Sequence, residues 1–551
     1  LEEYPEALDE IDSILKENRG DGEIITWKGN MLMGMGNFEE ALETFNQALE
    51  NNPQEVEAWN SKGIVLSILG DFEEAFNSFN HALDLDPDNY RPWVLKGTLF
   101  YEIKDFEKAL ECVETSLKLN DLNPEAWFRK GLVLYELGKF PESIEAYDQA
   151  LELYENYPEA WNAKALSLLE LGEHEEELQC YNQALEIDPN YSDAWTNKGA
   201  TLVRLGEDVE GLKSFNQALR LNPYDINAWL NKGNILMSAD NFKDAADCFK
   251  RVMDLEPDLL MARFYYAQAL FNMGKPEPAL KYLEEIISQE PEFDMAWFYK
   301  GLSLIELGKN EEALLALDKS LEINPENTEA LVWKGKLLLT EEKEESALQC
   351  FERVLALEED NLSAYFFKGM ILYNLKDYDG SIECFNRVLE FDPENKEVLI
   401  KKAISLGQKG EFEEAITTLD IILEDEPDEF DALYLKADAL RRLEIIDESL
   451  EYFQKIVGLY PDHAGAWYEL GITYQQIKDQ KNAVESFEKA IAINEEFEWA
   501  LNSLAVSLAI MGRFDEALET VNRTLEIDPD NQEALDLKRD IEDLIKSTKE
   551  S

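Results

Sequence analysis

Apolar residues recur along this chain with the spacing of amphipathic helices, and the helices come in pairs. In the block 56–89, Trp59, Gly63 and Leu66 have the i, i+4, i+7 spacing of one helix face. A glycine and an aspartate interrupt this helix, and a proline ends the helix that follows. The second apolar face consists of Phe72, Ala75, Phe79, Ala82 and Leu83. The pattern therefore predicts a helix–turn–helix unit and no β-sheet.

This unit repeats fifteen times, in blocks of 34 residues that run from 22 to 531 without insertion or deletion. Counted from the first residue of each block, position 8 is always small: Gly29, Gly63, Gly97, Gly131, Ala165, Gly199, Gly233, Ala267, Gly301, Gly335, Gly369, Ala403, Ala437, Gly471 and Ala505. We expect position 8 to meet the alanine that is common at position 20, so that the paired helices approach closely. A strict repeat of this length predicts a solenoid, in which each unit buries its apolar face against its neighbours.

Both ends of the chain continue this register. Residues 1–21 predict the second helix of a repeat whose first helix is absent, with Ala7 at position 20 and Ile11 at position 24. We expect such a helix to leave apolar surface uncovered, so that the sequence is a fragment or the chain pairs end to end. Residues 532–551 predict a single capping helix. Its expected inward face consists of Ala534, Leu537, Ile541 and Leu544.

The positions of the repeat resemble the tetratricopeptide repeat (TPR) family, which has Trp at 4, Gly at 8, Ala at 20, an aromatic residue at 24 and Pro at 32. Trp occupies position 4 at Trp59, Trp93, Trp127, Trp161, Trp195, Trp229, Trp297 and Trp467. The resemblance covers nearly the whole chain and implies an all-α fold, a right-handed α-solenoid superhelix whose first helices line a concave groove. One departure is Glu177, which replaces the small residue at position 20. We expect its carboxylate to turn outward.

In the family, positions 2, 5, 6, 9, 12 and 13 of the first helix face the groove, and in repeats 8 to 11 several of these positions are aromatic. Position 6 holds Tyr265, Tyr299, Trp333 and Phe367, and positions 5 and 12 add Phe264, Phe298, Phe366, Phe271 and Tyr373. One interpretation is a continuous strip that binds a partner, because exposed apolar strips rich in Tyr and Trp mark interaction sites. The alternative is that these rings pack against adjacent helices.

Asparagines form a second candidate site. The superhelix of O-linked N-acetylglucosamine transferase has Asn repeatedly at position 6, and here Asn197 and Asn231 occupy that position, with Asn234 at position 9 beside them. The carboxylate clamp of chaperone adaptors requires Lys at position 5, which no repeat of this chain has. We therefore expect no clamp of that type.

The charge of the chain narrows the class of partner. Asp and Glu number 116 against 51 Lys and Arg, which gives a net charge of −65. Nucleic acids and anionic membranes are recognised by basic surfaces, so we expect neither as a partner. Acidic residues recur at position 2, on the rim of the predicted groove, and favour protein segments that combine apolar anchors with Lys or Arg. Lysine recurs at position 7, where we expect each ammonium group to meet a neighbouring carboxylate rather than an acidic ligand.

No pattern of residues predicts catalysis, a metal site or a cofactor, and we expect a protein that is not an enzyme. The three histidines, His81, His174 and His463, lie at different repeat positions and are expected on the surface. All five cysteines lie at position 23 and are expected to fill apolar space as free thiols: Cys112, Cys180, Cys248, Cys350 and Cys384. Free thiols and the lack of any apolar run of about 18 residues indicate a cytoplasmic protein.

Three functions remain open. The first is a non-catalytic scaffold that binds extended or helical partner segments in the groove. The second is the substrate-recruiting arm of a larger, glycosyltransferase-like enzyme whose catalytic domain lies outside this sequence. The third is a structural protein that self-associates end to end through its N-terminal helix.

Overall fold

The structure, a computed structural model, describes the backbone of residues 4–17 and 20–550 and the side chains of residues 8–15 and 20–546. All regular elements in these ranges are α-helices, which confirms the all-α solenoid of helix pairs. The first helices of the fifteen repeats are α2 (Gly22–Gly34), α4 (Val56–Ile68), α6 (Tyr90–Glu102), α8 (Pro124–Glu136), α10 (Pro158–Leu171), α12 (Ser192–Arg204), α14 (Ile226–Ser238), α16 (Leu260–Asn272), α18 (Asp294–Glu306), α20 (Thr328–Thr340), α22 (Leu362–Asn374), α24 (Lys396–Lys409), α26 (Phe430–Arg442), α28 (Ala464–Gln476) and α30 (Glu498–Ile510).

The second helices alternate with them along the chain. They are α3 (Phe38–Asn51), α5 (Phe72–Leu85), α7 (Phe106–Leu119), α9 (Phe140–Leu153), α11 (His174–Ile187), α13 (Asp208–Leu221), α15 (Phe242–Leu255), α17 (Pro276–Gln289), α19 (Asn310–Ile323), α21 (Glu344–Leu357), α23 (Tyr378–Phe391), α25 (Phe412–Asp425), α27 (Ile446–Leu459), α29 (Gln480–Ile493) and α31 (Phe514–Ile527). One further helix precedes the repeats, α1 (Tyr4–Glu17), and one follows them, α32 (Gln532–Glu550).

Every first helix begins at position 1 of its block and every second helix at position 17. The turn between them contains a residue with positive φ at position 15, which is glycine in most repeats, as at Gly70 (φ 82°). Lys104 adopts the same conformation with φ 61° and bears the steric cost that glycine avoids. The indole nitrogen of Trp59 donates a hydrogen bond to the carbonyl oxygen of Pro53, at 3.1 Å. This bond ties position 4 of a repeat to the loop that precedes it.

Position 8 is small because the ring at position 24 lies directly against it. A Cβ atom on Gly63 would lie 2.4 Å from Cε1 of Phe79, closer than any real contact. Position 8 also approaches position 20, as predicted, since a Cβ atom on Gly97 would lie 3.3 Å from the carbonyl oxygen of Ala109. The close approach of the paired helices therefore depends mainly on positions 8 and 24.

The prediction that Glu177 turns outward was wrong, because its side chain is 0% exposed. Position 20 of one repeat contacts position 10 of the next, as where the Ser143 hydroxyl donates to the Ser167 hydroxyl at 2.8 Å. At the corresponding place the Thr201 hydroxyl donates to Oε1 of Glu177 at 2.6 Å. Nη1 of Arg204 lies 3.1 Å from Oε2 of Glu177. The buried charge is thus paired with a guanidinium group from the following repeat.

His174 also belongs to this site, since its Nδ1 lies 3.0 Å from Oε2 of Glu177. The side chain is partly exposed, so the prediction of a plain surface histidine was incomplete. We call these four residues (His174, Glu177, Thr201 and Arg204) the Glu177 cluster. It joins α11 to α12 and uses the capacity of a buried carboxylate to accept several hydrogen bonds.

The prediction for the lysines at position 7 is confirmed for most of them. These ammonium groups reach a side chain sixteen residues earlier, at position 25 of the preceding repeat, as Lys300 reaches Glu284 at 3.0 Å and Lys130 reaches Glu114 at 3.1 Å. Lys96 and Lys232 meet asparagines at the same place. Several of these lysines also lie over the tryptophan at position 4; the ammonium of Lys300 is 5.4 Å from the ring centroid of Trp297. The regularity therefore serves the contact between repeats.

The five cysteines are buried and free, as expected of apolar filling residues. Burial raises the pKa of the Cys112 thiol to about 11, and it does the same for Cys180. A thiol held neutral in this way is a poor nucleophile, because the thiolate is the reactive form.

The two terminal helices differ from the predictions in detail. In α32, Ala534 and Ile541 are buried as expected, but Leu544 is 47% exposed, and Ile545 packs on the core in its place. In α1, Ile11 is buried and α1 packs on α2. Ala7 and residues 1–3 and 18–19 of the predicted N-terminal segment lie outside the described side chains or backbone. Ile14 is an exposed apolar residue on α1, and end-to-end association through this helix stays a prediction.

The contacts between Cα atoms divide the chain into two compact units, 1–282 and 283–551. In each unit a repeat packs on its sequence neighbours. The first helices of adjacent repeats contact each other, as α4 does α6 in the first unit and α22 does α24 in the second. Adjacent second helices make few such contacts. The first helices therefore line the inner side of each unit.

Candidate partner-binding groove

The aromatic residues of the first unit are packed more tightly than the sequence suggests. Tyr265 stacks on Phe249, with ring centroids 5.3 Å apart, and it keeps part of its surface accessible. Phe264 is 4% exposed and has little surface for a ligand to touch. Phe271 is half-buried. Of the predicted strip in this unit, Tyr265 and Phe271 are therefore the residues with surface accessible to a partner.

In the second unit the aromatic residues at position 6 remain half-buried, and Phe298, beside the first of them, is buried. Phe298 is 2% exposed and lies 5.3 Å from Tyr299, ring centroid to ring centroid. Tyr299, Trp333 and Phe367 each keep part of their surface accessible. Phe298 thus supports the surface that Tyr299 offers.

A lysine covers part of these rings, which the sequence interpretation did not include. The ammonium group of Lys336 lies 5.0 Å from the ring centroid of Trp333 and 5.0 Å from that of Phe367. Phe367 stacks on the buried Phe351 at 5.4 Å, so Lys336 covers the ring face that Phe351 leaves open. Lys336 follows Trp333 by three residues on the same helix, and this spacing could have predicted the contact between the lysine and the ring.

The remaining aromatic residues of the second unit lie at the margins of this surface. Phe366 contacts Phe367 edge to face at 5.4 Å and Phe385 at 6.2 Å, and it is half-buried. Tyr373 lies 5.7 Å from Tyr378 and is also half-buried. These two residues pack against neighbouring rings and keep part of their own surface accessible.

The asparagines of the first unit are partly engaged within the protein. Nδ2 of Asn197 donates to Oδ1 of Asn162 at 3.2 Å. Nδ2 of Asn231 donates to the backbone oxygen of Asn227, on its own helix, at 2.9 Å. Asn234 is exposed. A row of asparagines that all present their amide nitrogens to a ligand is therefore not formed.

Polar groups on the inner side of the repeats also pair with each other, which the sequence interpretation missed. The hydroxyl of Tyr101 donates to Glu136 at 3.1 Å, and Tyr135 repeats this contact with Glu170 one repeat later. Burial, followed by the charge of Glu136, raises the pKa of Tyr101 to about 12. Tyrosine at position 12 with glutamate at position 13 of the next repeat was the signal that could have predicted these bonds.

A second ionic network lies on the inner side of repeats 13 and 14. Nη2 of Arg441 lies 2.8 Å from Oε2 of Glu469 and 2.5 Å from Oδ1 of Asp438. Nε of Arg442 lies 2.8 Å from Oδ2 of the same Asp438. Burial raises the pKa of the Glu469 carboxyl. Arg441, Arg442, Asp438 and Glu469 are thus charged but mutually paired.

Protein-family models described as tetratricopeptide repeat match most of the chain. One matches residues 28–90, 94–158, 134–192 and 400–464, and others match 180–213, 304–371, 363–395 and 464–497. A model for subunit 3 of the anaphase-promoting complex, or cyclosome, matches residues 238–320. The model of the Fis1 C-terminal tetratricopeptide repeat matches residues 503–549. Among curated proteins, none matches the chain.

Solved structures with some similarity include three with repeats of helices. Naa15/Naa10 bound to HypK-THB has a TM-score of 0.37 and 15% identity, over 99% of this chain and 95% of that one. The APC/C hetero-tetramer Cut9–Hcn1 has a TM-score of 0.35 and 15% identity, over 96% and 98%. YrrB, a TPR protein with an unusual peptide-binding site, has a TM-score of 0.29 and 24% identity, over 34% and 96%. TM-scores this low bear on neither function nor partner.

None of the helices in the described part of the chain is both long and apolar enough to cross a membrane. An array of helix pairs that present their first helices along one side has the architecture of a protein-interaction scaffold. The 34-residue register, the helix pairs that follow it and the matching family models show that this chain belongs to the tetratricopeptide repeat family.

Proposed function

We propose that this chain is a non-catalytic scaffold that binds extended or helical segments of partner proteins along its first helices. Apolar side chains of the segment contact the half-buried rings of Tyr299, Trp333 and Phe367, and basic side chains contact carboxylates at the rim. The observation that carries the proposal is that these three rings keep accessible surface while Phe298 and Phe351, which support them, are buried. Rigid aromatic side chains with accessible faces or edges are favoured anchors at interfaces.

The charges of the second unit support a partner with basic residues. Glu329, Glu397 and Asp431 lie at position 2 of their repeats and are exposed. In the part of the chain that the structure describes, none of the three forms an ion pair. A chain of net charge −65 attracts cationic segments and speeds their association, and salt weakens this effect. Lys336 adds one positive charge amid the rings, where a single acidic group of the partner would fit.

The first unit has two further candidate surfaces for a partner. One is aromatic and consists of Tyr265 and Phe271, and the other is polar and consists of Asn197, Asn231 and Asn234. The engagement of Asn197 with Asn162 and of Asn231 with its own helix gives little support to a glycosyltransferase-like recruiting arm. That alternative stays a hypothesis with less support than the scaffold.

The test is the capture of partners from a lysate of the source organism by the intact protein and by two triple variants. The first, Tyr299→Ala/Trp333→Ala/Phe367→Ala, removes the proposed anchors. The second, Leu315→Ala/Leu357→Ala/Phe391→Ala, removes exposed apolar side chains from the second helices of the same repeats and serves as the matched control. We expect the first variant to lose a captured protein that the control retains, with the same helical circular dichroism in both.

The charge of the partner is tested with the segment of the captured protein that binds. A synthetic peptide of that segment should bind the intact protein more weakly as NaCl rises from 50 to 500 mM, because screening weakens the attraction to the rim carboxylates. Equal capture by the two triple variants would contradict the proposed site, and salt-independent binding would contradict the proposed charge of the partner.

A further inference from the structure

A pocket opens on the inner side of repeats 12 and 13, in the second unit, away from the rings of repeats 9 to 11. It lies between α24, α25 and α26 and has a volume of about 410 Å³, including the solvent at its open mouth. Its lining is formed by Ala403, Ile404, Gly407, Gln408, Phe412, Ala415, Leu419, Leu435, Asp438, Ala439 and Arg442. Most lining residues are apolar or glycine, and the polar ones are Gln408, Asp438 and Arg442. Much of this volume is solvent at the mouth, so the enclosed part is small and suits a single side chain better than a whole small-molecule ligand.

The pocket lies where position 12 of repeat 12 is glycine. Most other repeats place a larger side chain there, as with Tyr135, Leu339 and Gln475, and the small residues Ser67 and Ala509 are the other exceptions. A Cβ atom on Gly407 would have no atom within 4 Å, in contrast to the glycines at position 8. A helical glycine that nothing presses against costs about 0.5–1 kcal/mol relative to alanine and gains no packing in return. The space it leaves is therefore free for a group from outside the chain.

The charges at the mouth are neutralised within the protein. Both oxygens of Asp438 are paired, one with Arg441 and the other with Arg442. The guanidinium group of Arg442 also lies 5.9 Å from the ring of Phe412. No unpaired charge of these residues points into the pocket, so an uncharged apolar side chain suits it better than a polar one, which would lose hydrogen bonds to water.

The surroundings of the mouth favour basic residues next to that apolar side chain. Glu397 and Asp431 precede the lining residues Ile404 and Asp438 by seven residues on α24 and α26, about 10 Å along each helix. Both are exposed and make no ion pair within the described residues. Lys401 lies between Glu397 and the pocket on α24 and offsets one of the two charges. The pairs Asp438–Arg442 and Arg441–Glu469 contribute no net charge, so the net charge around the mouth is negative.

We propose that the Gly407 pocket receives one aliphatic side chain, of the size of leucine or methionine, from a partner segment whose flanking residues are basic. The proposal rests on the scaffold function proposed above and extends it by a second anchor point, with a preference at one residue of the segment. The rings of Tyr299, Trp333 and Phe367 and the Gly407 pocket then contact different side chains of the partner.

The test uses the full chain with isotope-labelled isoleucine and leucine methyl groups and short peptides Lys-Arg-Ala-X-Ala-Lys-Arg. With X as leucine or methionine, NMR should show shifts of the Ile404, Leu419 and Leu435 methyl signals. With X as alanine, binding should weaken about tenfold or more, because the pocket loses several apolar carbons. With X as aspartate, no shift should occur at these methyl groups.

The decisive variant is Gly407→Leu, which fills the pocket with a side chain of the protein itself. Because a Cβ atom at this place meets nothing, the variant should fold, and it should bind the leucine peptide about tenfold more weakly than the native chain. The matched control is Gly458→Leu on α27, an exposed helical glycine with no atom within 4 Å of its Cβ position. The control should bind the peptide as the native chain does.

Three results would overturn the proposal: unchanged peptide binding by Gly407→Leu, equal binding of the leucine and alanine peptides, or no methyl shift at millimolar leucine peptide. Failure here is distinguishable from failure of the scaffold site. If Gly407→Leu keeps peptide binding while the triple aromatic variant loses its captured protein, the pocket proposal falls and the scaffold proposal stands. If the peptide results hold and the aromatic variant captures normally, the aromatic site falls and the pocket stands.

Discussion

Repeats 5 and 6 differ from repeats 12 and 13 in how they accommodate a residue that departs from the repeat pattern. Glu177 brings a side chain larger than alanine to position 20, and the next repeat encloses it with Thr201 and Arg204. Gly407 removes a side chain from position 12, and no neighbour moves into the space. The first departure forms a polar contact between repeats, whereas the second leaves an open pocket on the inner side. Neighbouring side chains therefore enclose the unusual residue in repeats 5 and 6 but leave it uncovered in repeats 12 and 13.

The largest effect that would test this comparison is expected for Arg204→Ala. The change leaves the buried Glu177 carboxylate without its cation, which should cost about 3 kcal/mol of stability in repeats 5 and 6. This value is at the low end for buried pairs because the Arg204 side chain is 35% exposed. Hydrogen exchange of the α11 and α12 amides, followed by mass spectrometry, measures the loss locally.

The double variant Glu177→Ala/Arg204→Ala is the control for that measurement. It restores the small residue of the other repeats and removes the unpaired charge, so most of the amide protection should return. If the double variant is as unprotected as Arg204→Ala, the guanidinium group acts through its own packing and the ion pair contributes little.

A smaller effect, with opposite signs at two sites, is expected for alanine at two glycines of the second unit. In Gly335→Ala the new Cβ atom would lie 2.7 Å from Cζ of Phe351, so overpacking should cost about 1–2 kcal/mol. In Gly407→Ala nothing opposes the methyl group, and the better helix propensity should add about 0.5–1 kcal/mol. Hydrogen exchange of the α20 and α24 amides compares the two.

Gly458→Ala is the reference for the helix-propensity gain, because it is exposed and also meets no atom. A gain at Gly407 equal to that at Gly458 supports an empty pocket. A loss of protection at Gly407 would mean that the surrounding helices close over the site in solution, and the comparison with repeats 5 and 6 would then fail.

The fold was predictable from the sequence because each repeat depends on local features that recur. Helices begin at positions 1 and 17 where the apolar spacing and the glycine or proline breaks place them. Contacts between a repeat and its neighbours were harder to predict. The outward orientation expected for Glu177 was wrong because its partners, Thr201 and Arg204, lie 24 and 27 residues later and appear polar by themselves.

The candidate site was predictable only in part, for a related reason. Repeat position indicates which side of a helix a residue occupies, but the exposed fraction depends on what the neighbours contribute. Phe264 and Phe298 were grouped with the groove aromatics and are buried. Gly407 and Gly335 are the same residue type in the sequence, and only the neighbours at each place separate an open pocket from a tight contact.

The smallest expected effect concerns two lysines of the second unit that differ in their partners. Lys300 pairs with Glu284 and lies over Trp297, whereas Lys336 lies over two rings and has no carboxylate within ion-pair distance among the described residues. Lys300→Met keeps the apolar stem and should cost about 0.5 kcal/mol at low salt, as other exposed ion pairs do. At 1 M NaCl the screening length is about 3 Å, and this cost should nearly vanish. Lys336→Met should show a cost of similar size with a weaker dependence on salt, because attraction to a ring face acts at short range between a cation and a neutral group. Amide exchange of α18 and α20 at both salt concentrations measures the difference. Equal salt dependence in the two variants would mean that Lys336 is paired with a carboxylate in solution. The ring surface of repeats 10 and 11 would then be less cationic than its geometry indicates.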